Sequence, residues 1–276
     1  MTDTSYVLDA KERRAGTILA CQTRLLGDVR IAIQWPQANE PIPGIIIAVN
    51  PLTADIVDVT IDLDAPLPYT AGQYAQISVP VLGITRSYSF ANAPIGDSQT
   101  RLRFFIRYIP GGAFTGWLQR GCVGQSVQVQ GPFGNFMLSQ STAPLLFIAG
   151  GSGLAPIKAM LEQAVKVGNP RDAVVLFGAR TNRDLYVLDE LQTISTRWIG
   201  GYHFEPVLSE EPAGSGWTGA VGMVTDNLDS RVSNLAAREA YLCGPPAMVD
   251  AARKVLCACG MTVDSIRADS FVASGG

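Results

Sequence analysis

The sequence predicts a β + α/β protein: an antiparallel β-barrel followed by a doubly wound parallel-sheet domain. Three observations support this. Residues 44–142 hold six short apolar stretches separated by Pro, Gly, Asp and Asn, the spacing of an antiparallel barrel or sandwich. From residue 143 onward strand-like and helix-like stretches alternate, which implies a parallel sheet with helices on both faces. A glycine-rich turn follows the first strand of that second half, and a Cys-Gly-Pro-Pro run follows a later one.

The totals narrow the class. At 276 residues the chain has room for two domains, and 47% hydrophobic with 16% charged residues suits a well-packed globular protein rather than a disordered one. A net charge of −3 without any basic run gives no pull toward nucleic acid. The longest apolar runs, 44–49 and 145–151, fall far short of a membrane span, which needs about 20 residues. The first residues lack the basic start and apolar centre of an export signal. The five cysteines, Cys21, Cys122, Cys243, Cys257 and Cys259, are odd in number and scattered, a pattern of the reducing cytoplasm rather than of a disulfide framework.

Residues 1–43 are the least coherent segment, ending in a linker marked by Pro36, Pro41 and Pro43. In the first half, strands are expected at 45–49, 56–63, 74–79, 87–91, 102–109 and 127–130, with one helix inserted at 115–120. Pro144 marks the boundary at which a domain of residues 143–276 follows one of residues 44–142. The second half then reads as strand 145–149, helix 156–167, strand 173–177, helix 188–195, strands 202–208 and 239–243, and helix 246–259.

The residues that carry chemistry fall at strand ends. Arg86, Ser87, Tyr88 and Ser89 alternate along one strand, so residues two apart share a face. A flavin needs a cation near its diphosphate, a flat side chain against its ring and a small donor near N5, and these residue types supply all three. Arg107 lies on the next strand, and Gly111, Gly112 and Thr115 open the inserted helix. Glycines admit close backbone approach, and helix N-termini favour phosphate. Thr115 is either an N-cap, a phosphate ligand, or both. The turn Gly131, Pro132, Phe133, Gly134 reads as structural.

Gly150, Gly151, Ser152 and Gly153, followed by Leu154, Ala155 and Pro156, depart from the G-x-G-x-x-G dinucleotide fingerprint. The mechanism is the same: a buried strand ends in glycines where a diphosphate can approach, and Pro156 begins the helix. Arg180 and Arg183 follow the second strand, where an adenine ribose would lie; they meet a 2′-phosphate or are simply solvated. Cys243, Gly244 and Pro245 end another strand, where the thiol either faces a nicotinamide ring or packs in the core. His203, the single histidine, reads as a packed or partly exposed residue, and Cys257 with Cys259 as core.

In this order the motifs resemble the ferredoxin–NADP reductase superfamily over roughly residues 44–276, and within it the reductase components of multicomponent bacterial oxygenases acting on aromatic rings, alkanes or phenol. The resemblance implies FAD with Arg86 on its diphosphate, Tyr88 on its isoalloxazine and Ser89 near N5. It implies a second flavin-phosphate loop at Gly111–Thr115, a nicotinamide-nucleotide loop at 150–156 and a nicotinamide-side motif at Cys243, Gly244 and Pro245. The ending Ala268, Asp269, Ser270, Phe271 resembles the family's C-terminus, where an acid and an aromatic lie near the flavin. Ser89, Cys243 and Asp269 are the implied catalytic residues.

The front of the chain differs. Residues 18–23 resemble the tail of a plant-type ferredoxin domain with Cys21 as fourth cluster ligand, yet the preceding C-x₄-C-x₂-C run is absent. By this resemblance residues 1–43 are expected to be the remnant of a shortened ferredoxin domain plus linker, the alternative being an unrelated arm, and no 2Fe–2S cluster is expected in this chain. The implied activity is cytoplasmic electron transfer from NADH or NADPH through FAD to a one-electron acceptor, a ferredoxin or an oxygenase component. The rival readings are a free-flavin or dye reductase and a non-catalytic flavin-binding subunit.

Overall fold

A computed structural model of the chain describes residues 40–271 except 97, 98 and 227. Cys21 and the ferredoxin-like stretch lie outside the described residues.

The first half forms β1 (Ile42–Pro51), β2 (Ile56–Leu63), β3 (Tyr74–Val79), β4 (Ile84–Ser89), β5 (Arg101–Arg107) and β6 (Ser126–Phe133). Their order is β4-β3-β6-β1-β2-β5, every pairing antiparallel. A bridge between Phe90 and Phe104, with the Ala91 N–H donating to the Arg103 carbonyl at 2.8 Å, joins the ends and closes the barrel. Strand β3 alternates as expected of a half-buried strand, with Ala75, Ile77 and Val79 inside. In β2 and β5 the alternation fails because both faces are covered. Val57, Val59, Leu102, Phe104 and Ile106 fill the barrel, while Ile56 and Phe105 turn outward into the core of the second half. The inserted helix, α1 (Ala113–Gln119), begins two residues before the expected start.

The second half forms β7 (Leu145–Gly150), α2 (Leu154–Lys166), β8 (Ala173–Ala179), α3 (Leu188–Arg197), β9 (Tyr202–Leu208), β10 (Ala220–Val221), α4 (Leu228–Arg231), β11 (Glu239–Gly244), α5 (Pro246–Ala258) and β12 (Ile266–Ser270). The sheet order is β10-β9-β8-β7-β11-β12 and all pairs are parallel. Every residue of β7 is buried. Its odd-numbered residues pack with α2 and α3 on one face, and Leu146 and Ile148 pack with α5 on the other. This is the doubly wound arrangement. The short edge strands β10 and β12 were not expected, since neither carries an apolar run. Pro156 is the third residue of α2 rather than its first, which costs nothing because the first four N–H groups of a helix have no internal partner.

The halves are joined chiefly through α2. Lys158, fully buried, donates from Nζ to the Ala91 carbonyl at 3.2 Å and pairs with Glu162 at 2.5 Å and Glu190 at 2.7 Å. Glu190 also meets Arg103 of β5 at 3.1 Å, and Arg103 meets Asp58 of β2 at 2.6 Å. Glu162 accepts the Ala93 N–H at 2.8 Å, and Gln163 accepts the Ala71 N–H at 2.9 Å. Burial pushes the Glu190 carboxyl up, but Arg103 and Lys158 outweigh it and hold it below its ordinary value.

Candidate active site

The strand order reverses between β7 and β11, the chain adding β8 outward on one side and β12 on the other while all strands stay parallel. Ligands of open α/β sheets bind at the carboxyl ends of the strands flanking such a point. Here those ends are Gly150 to Gly153 and Cys243 to Pro245. The two turns touch through their main chains. A Cβ on Gly153 would collide with the Cys243 carbonyl, and one on Gly244 would lie 2.9 Å from the Gly150 oxygen. Glycine is required at both because any side chain would push the turns apart. Next to this seam lies a cleft of about 170 Å³, lined among others by Arg107, Gly150, Gly151, Arg180, Pro245 and Met248. The bare backbone at the head of a 13-residue helix fits a dinucleotide diphosphate.

The barrel contributes β4. Arg86 and Tyr88 stand opposite Ile77 and Ala75 of β3. Tyr88 rests at 5.3 Å, tilted, on Phe114 of α1. Burial raises its phenol well above the usual value, offset in part by Arg86. Ser87, between them, is exposed. Gly112 is the N-cap of α1, with Gly111 before it at φ 72°. Thr115 is therefore not the N-cap. Its hydroxyl accepts the Ile109 N–H at 3.2 Å and donates toward the Ile109 carbonyl at 3.1 Å, fixing the glycine turn from behind. A flat half-buried phenol, a nearby guanidinium and a double-glycine turn on one side of the barrel fit a flavin and its diphosphate.

Barrel and sheet meet at the three residues expected to be catalytic. Cys243 of β11 stands opposite Asp269 of β12, and the Ser89 side chain lies near enough to the Asp269 carboxyl to favour its charged form. Burial lifts that carboxyl to about 6, with Ser89 working the other way. Burial, then the neighbouring Asp269 charge, pushes the fully buried Cys243 thiol well above its ordinary value, so it stays a neutral thiol at physiological pH. The chain continues to Phe271, whose N–H donates to the Gly244 carbonyl at 2.9 Å, placing this aromatic beside the seam.

Arg107 ends β5 directly over Gly151, where a Cβ would strike its guanidinium. The Tyr186 hydroxyl donates to the Gly151 carbonyl at 2.8 Å and braces the turn from the other side. Arg180 reaches into the same cleft but is already paired, with Asp184 at 2.8 Å and Asp55 at 3.1 Å. Asp184 in turn accepts from the Thr181 N–H at 3.0 Å.

Most of the expected residues therefore converge: Ser89, Arg107, Gly150, Gly151, Ser152, Gly153, Arg180, Cys243, Gly244, Pro245, Asp269 and Phe271 surround the seam. Arg86, Ser87, Tyr88, Gly111, Gly112 and Thr115 lie on the barrel at β4 and α1. Arg183 and His203 are exposed, and Cys257 and Cys259 are half-buried against the α5 core. Sequence reasoning missed Asp55, Asp184 and Tyr186. Thr181 and Asp184 form a capping box, a spacing visible in the sequence; the other two carry no local signal.

Comparison with known proteins agrees with this geometry. The oxidoreductase FAD-binding domain family matches residues 45–138, and the oxidoreductase NAD-binding domain family matches residues 147–254. The chain belongs to the ferredoxin–NADP reductase superfamily, among the reductase components of oxygenase systems: NAD(P)H-dependent reductases containing FAD. It is 36% identical over 276 residues to the xylene/toluene monooxygenase electron transfer component XylA of Pseudomonas putida, covering 98% of this chain and 78% of that one. It is 34% identical to the ferredoxin–NAD(P)(+) reductase component of the naphthalene 1,2-dioxygenase/salicylate 5-hydroxylase systems of a Ralstonia species, over 94% of this chain and 79% of that one. Among solved structures, the Amycolatopsis cytochrome P450 reductase GcoB superposes with a TM-score of 0.78 at 33% identity, covering 95% of this chain and 80% of that one. Among the described residues no helix is long and apolar enough to cross a membrane.

Proposed function

We propose that this chain is the cytoplasmic electron-transfer reductase of a bacterial oxygenase system, drawing on NADH and delivering electrons singly to a ferredoxin or to the oxygenase component itself. Bound FAD supplies the acceptance of a hydride and the release of single electrons that no side chain can perform. In this reading Arg86 and the turn at Gly111 and Gly112, fixed by Thr115, hold the flavin's phosphates. Ser87 flanks them, and Tyr88 covers the flavin ring. The turn at Gly150 to Gly153, with Arg107, takes the nicotinamide coenzyme's diphosphate. Cys243, Gly244 and Pro245 bound the nicotinamide pocket, and Phe271 shields it.

The observation that carries the reading is the meeting of Ser89, Asp269 and Cys243. The flavin strand of the barrel and the switch point of the sheet converge there, so a hydride donor on one and an acceptor on the other come into contact. Ser89 would present its hydroxyl to the reacting edge, with Asp269 fixing its direction. The neutral thiol of Cys243 would give the nicotinamide an uncharged, water-poor wall.

NADH rather than NADPH follows from Arg180. It is engaged by Asp184 and Asp55, with the Glu210 charge adding a third. A 2′-phosphate would enter among three carboxylates, and Asp184, anchored through its other oxygen by Thr181, would keep its hold on Arg180 even where Asp55 lets go. The test is anaerobic titration of the FAD-loaded protein with each coenzyme. NADH should bleach the visible flavin band at far lower concentration than NADPH, and ferricyanide should restore it. A flavin that NADH leaves oxidised refutes the reductase. Flavin that leaves the protein on gel filtration would favour the free-flavin reductase instead.

A further inference from the structure

Asp55 belongs to no motif and to neither glycine turn, yet its carboxylate lies between the two arginines of the cleft. It sits in the turn before β2. There the Thr53 hydroxyl donates to Asp55 Oδ1 at 3.0 Å and accepts the Asp55 N–H at 3.2 Å. The barrel register brings this turn to the end of β5. Ile56 pairs with Arg107, and the Tyr108 N–H donates to the Asp55 carbonyl at 2.7 Å. The remaining oxygen, Oδ2, faces Arg180 Nη2 at 3.1 Å and Arg107 Nη1 at 3.8 Å. The three side chains keep 27%, 44% and 35% of their surface in solvent for Asp55, Arg180 and Arg107. Such pairs exchange readily, whereas a guanidinium–phosphate contact is charge-assisted and frequently bidentate.

We propose that Asp55 is an internal competitor for the coenzyme's diphosphate, engaging the same two guanidinium groups and thereby setting how tightly the nicotinamide nucleotide is held. The proposal rests on the reading that the diphosphate lies at the turn from Gly150 to Gly153. When a diphosphate takes Arg107 and Arg180, Asp55 loses both cations and repels the incoming charge. Affinity is therefore lower than the two arginines alone would give. The oxidised coenzyme carries the same diphosphate and must leave after each turnover, so tempered affinity speeds release. Oδ1 stays with Thr53 throughout, and the exchange needs no change in the fold.

Asp55→Asn keeps the Oδ1 acceptor and removes only the charge. ADP-ribose, which has the diphosphate without the nicotinamide, and adenosine, which has neither, are titrated calorimetrically into the FAD-loaded full chain and its variants. Asp55→Asn is expected to tighten ADP-ribose about three- to tenfold. The gain should shrink as salt is raised, and adenosine should not respond. Unchanged or weaker ADP-ribose binding in a folded variant, while Arg107→Ala weakens it, overturns the competitor and leaves the cleft reading intact. Indifference to both substitutions overturns both. An equal gain for adenosine also overturns it, because the effect would not then belong to the diphosphate. Asp55→Ser is judged by the same criteria should Asn lower the melting temperature.

Discussion

The barrel and the nucleotide sheet are held together at two charged bridges that use the same chemistry and differ in burial. At Lys158 the cation at the centre is enclosed, although the carboxylates around it are partly open to solvent. The ammonium has no contact with solvent, and its partners Glu162 and Glu190 extend the chain of pairs to Arg103 and Asp58. At Asp55 the pairs with Arg180 and Arg107 open onto the cleft, and one of them is 3.8 Å long. A buried network is strongly destabilised when one member is removed, because the others remain as uncompensated charges, whereas an exposed pair contributes little. Between these extremes lies a third meeting point, where Ser89 of the barrel comes beside Asp269 of the sheet. An enclosed central cation, rather than the mere presence of ion pairs, separates a joint that fixes domain geometry from one free to exchange with a ligand.

Removing Lys158 should have the largest effect. Lys158→Ala removes the enclosed cation and its packing, leaves the half-exposed Glu162 and Glu190 facing each other, and is expected to lower stability by about 2–3 kcal/mol, measured by urea unfolding. A loss below 1 kcal/mol would mean that the network relaxes into water and that the contrast fails.

Asp269 should respond through pH. Its folded value of about 6 lies above the ordinary 3.8, so the folded state binds the extra proton between those values and stability falls as pH rises through that window. Asp269→Asn removes this dependence. Relative to the parent, the variant should gain on the order of 2 kcal/mol on going from pH 4 to pH 7.5. Parallel melting curves across that range would contradict the raised value. Flavin reduction by NADH should also show an inflection near pH 6 in the parent that the variant lacks.

The smallest effect belongs to Asp55. Asp55→Asn should change folding stability by less than about 1 kcal/mol, even while it alters ligand affinity. A loss comparable with that of Lys158→Ala would place Asp55 among the fixed joints.

Much of this was legible in the sequence, for identifiable reasons. Strands 56–63, 74–79 and 202–208 begin and end where their residue pattern indicates, since β-branched and apolar residues are bounded there by turn formers. The glycine turns were legible because a backbone that must approach another backbone tolerates no Cβ, and Gly153 against Cys243 shows that constraint directly. Strand β12 was not legible. Its Ile266–Ser270 stretch is polar and owes its strand form to the neighbouring β11. Of the two roles open to Thr115, the N-cap fails because a glycine takes that position while the hydroxyl turns back to Ile109. Asp55 and Tyr186 escaped notice because their importance comes from partners 52 and 35 residues away, Arg107 and Gly151, which only the closed barrel and the packed sheet bring near.

One feature of α2 bears on how such proteins can be recombined. Where its side chains cross to the barrel, Lys158, Glu162, Gln163 and Lys166 bind the main-chain atoms of Ala91, Ala93, Ala71 and Pro94. Peptide groups are the same whatever residue bears them, so the barrel's surface can drift in composition while the helix still recognises it. A hybrid reductase that keeps this helix with its own sheet should therefore accept a foreign barrel of the same path more readily than one in which the helix itself is exchanged.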